Sequence, residues 1–202
     1  MKAKILFVSL LISVVASGQD WQALQEAFSQ SYELERQGEF QKAADQLLKV
    51  YDQNSYEINL RLGWLNYNAG LFDKAATYYR RAITLRPYSE EARFGLALPL
   101  SALGKWDEII KLYNEILQHS PGNTTALYRL GLIYYGRKDY QKALQYFQKL
   151  VDLYPFGHDG LLMLAWTNYQ LGKAREAKVL FHKVLLINPK DQSALEGLSY
   201  LK

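Results

Sequence analysis

Four prolines recur at one fixed interval and constrain the fold more than any other feature of the sequence. They are Pro87, Pro121, Pro155 and Pro189. Two further series keep the same interval: Ala75, Ile109, Ala143 and Ala177, and the ring-bearing Tyr79, Tyr113, Phe147 and Phe181. A constant period of about 34 residues indicates repeated structural units that stack on one another.

Each unit has the sequence pattern of two helices. Ser89 and Asn123 are residue types that begin helices well, and each precedes an apolar run. A short turn follows, and its glycine favours the left-handed conformation that ends a helix. These glycines are Gly70, Gly104 and Gly172. The second helix then runs to the proline, which cannot continue it.

Two residues depart from this pattern. Lys138 stands where the turn glycine is expected, and Pro99 falls inside a first helix. A proline there removes one backbone hydrogen bond, so we expect a kink. The kink either has no role or reshapes a binding groove.

These residues resemble the tetratricopeptide repeat, a helix-turn-helix unit of the same period. The first helices carry its small-residue positions at Leu62-Gly63, Leu96-Ala97, Leu130-Gly131 and Leu164-Ala165. The resemblance covers about residues 24–202. It implies an all-α fold, a right-handed superhelical solenoid that ends in a capping helix.

The expected organisation is a signal peptide at residues 1–18 and a repeat domain at 19–202. The units are expected at about 24–55, 56–89, 90–123, 124–157 and 158–191, with the capping helix at 192–202. The first unit is degenerate, since Ala43 lies closer to Ala75 than the constant interval and no proline closes it. Leu195, Leu198 and Leu201 are expected to cover the end of the stack, which a solenoid requires.

The N-terminus has the pattern of a cleaved secretory signal. Lys2 and Lys4 precede an apolar run, Ile5 to Val15, and the small residues Ala16-Ser17-Gly18. The run is much shorter than the roughly 20 residues that span a bilayer, which favours cleavage over an uncleaved anchor. The chain has no cysteine, which excludes disulfides and lipid attachment through cysteine. We therefore expect a bacterial exported protein, periplasmic or secreted, without stable membrane insertion after cleavage.

Charge and composition argue against nucleic-acid binding and catalysis. Without Lys2 and Lys4 the chain has 22 basic and 20 acidic residues, which is too even for a nucleic-acid partner. His119, His158 and His182 occupy different places in different units and have no metal-ligand spacing. The sequence has no glycine-rich phosphate loop and no nucleophile motif. We expect no enzyme, no catalytic residue, no cofactor and no metal site.

The first helices carry two apolar stripes. One, the packing stripe, is needed to build the stack and is represented by Leu127, Leu130, Gly131 and Tyr134. The other, here called the aromatic stripe, lies one residue further round, at spacings of three and four that share a helix face. Its members are Phe28, Tyr32, Leu60, Trp64, Tyr67, Phe94, Leu98, Tyr128, Leu132, Tyr135, Leu162, Trp166 and Tyr169.

The resemblance implies that the first helices line the concave side, so the aromatic stripe would face a groove and bind a partner. The family's peptide clamp grips a C-terminal carboxylate with lysine and asparagine, whereas this stripe has aromatic residues and leucine, which argues against a carboxylate clamp. The other interpretation is that neighbouring helices bury the stripe.

The expected function is a non-catalytic protein–protein interaction scaffold or adaptor of the bacterial cell envelope, which binds an apolar peptide or helix. The alternative is a glycan- or cell-wall-binding module in which Trp64, Tyr135 and Trp166 stack on sugar rings. The stripe has few of the polar side chains that sugar hydroxyls require.

Overall fold

The computed structural model describes residues 20–201, which fall into two compact units, one ending at Val50 and the other beginning at Tyr51. The first unit is a pair of helices, α1 (Trp21–Arg36) and α2 (Phe40–Leu48), which pack against each other. Ala27 and Ala43 are buried in it. The expected signal peptide, residues 1–18, lies outside the described residues, so its cleavage stays a prediction.

The second unit consists of four helix pairs and a last single helix. The first helices of the pairs are α3 (Tyr56–Asn68), α5 (Glu90–Ala102), α7 (Thr124–Gly136) and α9 (His158–Gln170). The second helices are α4 (Phe72–Leu85), α6 (Trp106–His119), α8 (Tyr140–Leu153) and α10 (Ala174–Ile187), and α11 (Gln192–Ser199) follows. Each helix packs on the next along the chain. The described residues contain no strand, and the predicted all-α stack of helix pairs is confirmed.

No helix within residues 20–201 is both long enough and apolar enough to cross a membrane.

Side-chain caps fix where most of the first helices begin. The Ser89 hydroxyl accepts a hydrogen bond from the Ala92 backbone N–H at 3.0 Å, and the Asn123 amide oxygen accepts one from Ala126 at 2.9 Å. Ser55 and Asp191 do the same for α3 and α11. Each such cap stabilises its helix by about 1 kcal/mol. The caps therefore fix the residue at which each of these helices begins.

The turn after α7 uses a lysine in the left-handed conformation. Lys138 has φ 60°, close to φ 69° at Gly104 in the equivalent turn. The hydrogen bonds also agree, since Asp139 N–H donates to the Tyr134 carbonyl at 2.9 Å and Lys105 N–H donates to Leu100 at 2.8 Å. The departure at Lys138 therefore leaves the turn unchanged and stores backbone strain in it.

The core of the second unit is built around rings that lie against small residues of the first helices. Tyr79 and Phe181 are almost fully buried. A Cβ atom added at Gly95 would lie 2.2 Å from the Tyr79 ring, and one added at Gly197 would lie 2.2 Å from the Phe181 ring. Tyr79 of α4 thus lies against α5, and Phe181 of α10 lies against α11, because each glycine lacks the side chain that would block the ring.

The last helix covers the end of the stack with a different face from the one predicted. Leu195 is 43% exposed, so the prediction that it covers the core was wrong. Ala194 is buried, and Leu198 and Leu201 pack against the cluster around Phe181. These three residues share one face through spacings of three and four, whereas Leu195 is turned from it by about 100°.

Pro99 lies inside α5 and is buried, and α5 continues past it to Ala102. The Pro99 carbonyl accepts a hydrogen bond from the Leu103 N–H at 3.0 Å. The proline therefore does not end the helix.

Candidate partner-binding surface

The aromatic stripe of the second unit runs across its first helices and is neither buried nor fully exposed. Trp64 and Leu98 are each 38% exposed. The other members on α3, α5, α7 and α9 are half-buried: Leu60, Tyr67, Phe94, Tyr128, Leu132, Tyr135, Leu162, Trp166 and Tyr169. Because partly exposed side chains recur in four consecutive pairs, the stripe is a continuous feature of this unit. That it binds a partner stays a prediction.

The inner edge of the stripe packs on the core. Leu60 and Phe94 contact the cluster that contains Tyr79 and Leu96. Tyr128, Leu132 and Tyr135 contact the cluster around Phe147. Because only the outer edge remains accessible, these side chains are held in place by the core before any partner arrives, which lowers the entropy cost of binding.

Neighbouring rings support one another along the stripe. The ring centroids of Trp64 and Tyr67 are 6.2 Å apart, and those of Trp166 and Tyr169 are 5.6 Å apart. Aromatic pairs in this distance range are attractive. The exposed face of each ring is therefore presented in a restricted orientation.

Trp166 differs from the rest of the stripe because it also holds the last helix. Its indole N–H donates a hydrogen bond to the Ser193 hydroxyl at 2.8 Å. Its ring lies 5.0 Å from Phe181 and 6.3 Å from Tyr200. Trp166 thus has a structural role that the stripe pattern did not reveal, since the pattern contains no signal for a contact with α11.

Tyr128 and Tyr135 of the stripe remain protonated at neutral pH. Burial raises the pKa of Tyr135, partly offset by a hydrogen bond to Gln170. Burial also raises the pKa of Tyr128, and the Asp159 carboxylate adds to that rise. Neutral phenols combine an apolar ring with a hydrogen-bond donor, which suits a surface that contacts a polypeptide.

Three exposed carboxylates border the stripe at the N-terminal end of its helices. Glu57, Glu91 and Asp159 each stand three residues before a stripe member. We call this set the acidic margin. Glu57 and Glu91 are one repeat interval apart, and Asp159 is two intervals further on. That spacing was the available signal, and sequence reasoning missed it because an acidic first turn is also what any helix favours.

Phe28 and Tyr32 lie on α1 in the first compact unit. Their ring centroids are 6.3 Å apart, and Tyr32 is 47% exposed. The pair forms a small aromatic surface on that unit.

The histidines are separated in the structure. His158 is the first residue of α9, and its ring lies between Asp159 and Asp191 at 2.9 and 2.8 Å. Hydrogen bonds to Asp159 and Asp191 raise the pKa of His158. Between residues 20 and 201 no group of three histidine, aspartate or glutamate side chains is placed to hold a metal ion.

A shallow cavity of about 550 Å³ lies at the turn between α4 and α5, next to Glu57 of the acidic margin. It is lined by Tyr56, Glu57, Leu85, Arg86, Pro87, Tyr88 and Ser89. Tyr88 is 76% exposed and meets His119 edge-on at 4.9 Å. No charged side chain is buried there, so the cavity has the character of an open turn surface.

Comparison with known proteins points to one family. A tetratricopeptide-repeat model matches residues 28–90 and 92–158, and a second matches 134–199. The chain is 33% identical to Protein O-mannosyl-transferase TMTC1 of Homo sapiens over 99 residues, 49% of this chain and 11% of that protein. It is 33% identical to the TPR repeat-containing protein MJ1428 of Methanocaldococcus jannaschii over 110 residues, 54% of this chain and 18% of that protein. The chain therefore spans less than a fifth of either relative.

Solved structures share the fold. A tetratricopeptide-repeat protein from Parabacteroides merdae matches with TM-score 0.76 and 23% identity, over 89% of this chain and 72% of that one. MamA from Desulfovibrio magneticus RS-1 matches with TM-score 0.70 and 22% identity, over 84% and 97%. YrrB, described as a TPR protein with an unusual peptide-binding site, matches with TM-score 0.69 and 15% identity, over 88% and 96%.

Proposed function

Since the chain belongs to the tetratricopeptide-repeat family, we propose that it is a non-catalytic scaffold or adaptor that binds an apolar peptide or helix of another protein. Proteins of this family generally bind protein or peptide partners. The binding surface in this proposal is the aromatic stripe of α3, α5, α7 and α9. The observation that carries it is the partial exposure of the stripe in four consecutive helix pairs.

The size of the stripe supports a binding role. An aromatic side chain offers roughly 150–250 Å² of surface. If the stripe residues expose about a third of that on average, they present several hundred Å². This reaches the roughly 300–600 Å² of the largest apolar patch on a typical monomer, which is often functional. A helix laid in an apolar groove is a common mode of recognition on such a surface.

The proposed location is the bacterial cell envelope, reached through the N-terminal signal. The supporting features are Lys2, Lys4 and the short apolar run that ends before Ala16-Ser17-Gly18. We expect the mature protein to begin at Gln19. The intact mass of protein purified from its native host tests this, and a mass that retains residues 1–18 contradicts it.

Site-specific photo-cross-linking tests the binding surface directly. A photoreactive amino acid replaces Leu98 in the stripe or, as the control, Leu186, which is 73% exposed on α10. After irradiation of living cells, mass spectrometry identifies the attached proteins. We expect a protein cross-linked from position 98 and absent from position 186. Equal cross-linking from both positions, or from neither, contradicts the proposal.

Matched truncations then measure what the stripe contributes to affinity for the protein so identified. Trp64→Ala with Leu98→Ala removes a tryptophan and a leucine from the stripe. The control pair, Trp106→Ala with Leu186→Ala, removes the same residue types at exposed sites on second helices. Truncating an aromatic hot spot costs about 2 kcal/mol or more, roughly a 30-fold loss of affinity. We expect that loss for the stripe variant alone. Retention on purified cell-wall glycan, with no protein partner, supports the glycan alternative instead.

A further inference from the structure

We infer that the segment bound by the aromatic stripe is basic along one edge, with lysine or arginine side chains that face the acidic margin. This inference rests on the proposed function and adds the chemistry of the partner to it.

The acidic margin continues the face of the stripe. On α3, Glu57, Leu60 and Trp64 follow at spacings of three and four, which keeps them on one side of the helix. Glu91 before Phe94 and Asp159 before Leu162 repeat the arrangement on α5 and α9. All three carboxylates are exposed. A segment that covers the stripe therefore passes beside them.

At the opposite end of the stripe the first helices end in uncharged residues, which are Asn68, Ala102, Gly136 and Gln170. The turns that follow carry the basic residues Lys105, Arg137, Lys138 and Lys173. On α3, α5, α7 and α9 the carboxylates therefore lie only at the N-terminal ends. A partner with basic residues on one side and uncharged residues on the other matches both edges.

The two carboxylates at Glu57 and Glu91 are available to a partner. Glu57 accepts a hydrogen bond from the Ser55 hydroxyl at 3.2 Å, and Glu91 accepts one from the Tyr56 hydroxyl at 3.1 Å. Among the described side chains neither forms an ion pair with lysine, arginine or histidine. Within residues 20–201 neither carboxylate is therefore held in an ion pair, and the nearby Arg86 lines the same shallow cavity as Glu57 without pairing with it.

The margin is strongest on α3 and α5. Asp159 lies 2.9 Å from a ring nitrogen of His158, which offsets its negative charge when the histidine is protonated. On α7 the equivalent residue is the uncharged Thr125, and the exposed Arg129 follows one turn later. Two further arginines stand next to stripe residues: Arg61 is half-buried, and Arg93 is buried and paired with Glu115. The largest contribution to partner choice is therefore expected from Glu57 and Glu91.

The spacing of the margin fits regular secondary structure in a partner. Helices α3 and α5 are in contact, and packed helix axes lie about 8–10 Å apart. Basic residues seven apart on a helix are separated by about 10.5 Å. A helix that crosses α3 and α5 could thus place one basic residue at each carboxylate. Charges at the rim of an apolar surface act chiefly on association rate and on choice of partner.

Two synthetic helical peptides, each about 20 residues and therefore about 30 Å long, test this inference. Both have the same leucine and phenylalanine face, and one side carries either lysine or glutamate at every seventh position. Fluorescence anisotropy measures the affinity of each peptide for the full mature chain at low and high salt.

The variant Glu57→Gln with Glu91→Gln removes the margin charges on α3 and α5. The control Asp73→Asn with Glu176→Gln removes two exposed carboxylates that occupy the first turns of α4 and α10. Both variants lose two charges from helix first turns, so net charge and helix-dipole effects are matched.

We expect the lysine peptide to bind wild type and the control roughly three- to tenfold more tightly than the glutamate peptide, as two exposed ion pairs would give. Salt should reduce this preference, and the Glu57→Gln, Glu91→Gln variant should abolish it. Equal binding of both peptides to wild type overturns the inference and leaves the proposed function standing. A lysine preference that survives in the variant also overturns it. Binding of neither peptide contradicts the proposed function itself.

Discussion

The packing stripe and the aromatic stripe of α7 are only one residue apart, yet they have different environments. Leu127 and Leu130 of the packing stripe are fully buried. Tyr128 and Leu132 of the aromatic stripe are half-buried, with their inner edge on the Phe147 cluster. A step of one residue turns a side chain by about 100° around the helix. That rotation moves it from the interface between helices to the edge of that interface.

This difference separates residues that build the array from residues that the array presents. Apolar character alone does not distinguish them, because leucine occurs in both stripes of α7. What distinguishes them is whether a neighbouring helix covers the side chain. The same test identifies Trp166 as an intermediate case, since α11 covers part of its ring.

The largest expected effect comes from truncating the same residue type in the two stripes of one helix. Leu130→Ala should lower the free energy of unfolding by about 2–5 kcal/mol, since it leaves a cavity in a closed core. Leu132→Ala, two residues away, should cost about 1 kcal/mol, because its side chain is only half-buried and its truncation leaves no closed cavity. Chemical denaturation of both variants measures the difference. Equal costs would mean that the two stripes are equally structural.

Trp166→Ala should have the next largest effect and should separate Trp166 from the other stripe residues. It removes the hydrogen bond to Ser193 and the ring contact with Phe181, so we expect a loss of about 2 kcal/mol in stability. Leu98→Ala is the control and should cost less than about 1 kcal/mol. Thermal melts of both variants provide the measurement. A cost for Trp166→Ala as small as that for Leu98→Ala would contradict a role for Trp166 in holding α11.

The repeat and its all-α fold were predictable from the sequence because they depend on residues in register. Pro87, Tyr79 and Ala75 each begin a series of residues that recurs at one interval. Each series marks a backbone or packing requirement that the units share. The turn at Lys138 was located in the same way, although its residue type is unusual. Periodic constraints of this kind leave a pattern that a single sequence reveals.

Contacts that occur once in the array were not predictable. The Trp166–Ser193 hydrogen bond depends on how α11 sits on α9. The His158–Asp191 pair has counterparts at the same positions of earlier units, Tyr56–Ser89 and Glu90–Asn123, but the residue types differ, so no sequence pattern marks the contact. Leu195 was assigned to the core because leucine is apolar, whereas the buried face begins one residue earlier at Ala194. The exposure of the aromatic stripe likewise depends on distances between helices, which residue spacing does not give.

The pH dependence of stability tests how α11 is held over the C-terminal end of the aromatic stripe. Hydrogen bonds to Asp159 and Asp191 raise the pKa of His158 above its ordinary value of 6.5. The stabilisation of the fold by protonated His158 is therefore fully present below about pH 6.5 and is lost as pH rises through the raised pKa of this histidine. Burial raises the pKa of Asp191, but the Ala194 N–H and His158 outweigh it, so its pKa falls below 3.8. Its contribution is present above that pH and is lost in stronger acid.

We expect the melting temperature of wild type to exceed that of His158→Gln most clearly near pH 5–6, the window between these two titrations. The pair is partly exposed, so the gain is less than about 1 kcal/mol. Melts of both proteins from about pH 4 to pH 9 provide the measurement. His182→Gln, an exposed histidine on α10, is the control and should follow wild type. A constant difference between wild type and His158→Gln across the range would contradict the assignment.

The smallest effect is expected from a turn residue whose side chain belongs to neither stripe, and it should separate stability from binding. Lys138 is exposed at φ 60°, where a non-glycine residue costs about 1–2 kcal/mol. Glycine removes that cost but loses about 0.5–1 kcal/mol through its freedom in the unfolded chain. Lys138→Gly should therefore raise stability by about 0.5–1 kcal/mol, and Lys173→Gly, at φ −84°, should not raise it. Thermal melts measure the gain in stability. The affinity for a partner of the stripe should stay unchanged, because glycine retains the backbone hydrogen bond to Tyr135 and the Tyr135 side chain does not move. A fall in stability on Lys138→Gly would mean that the lysine side chain, rather than the backbone bonds of the turn, holds α7 against α8.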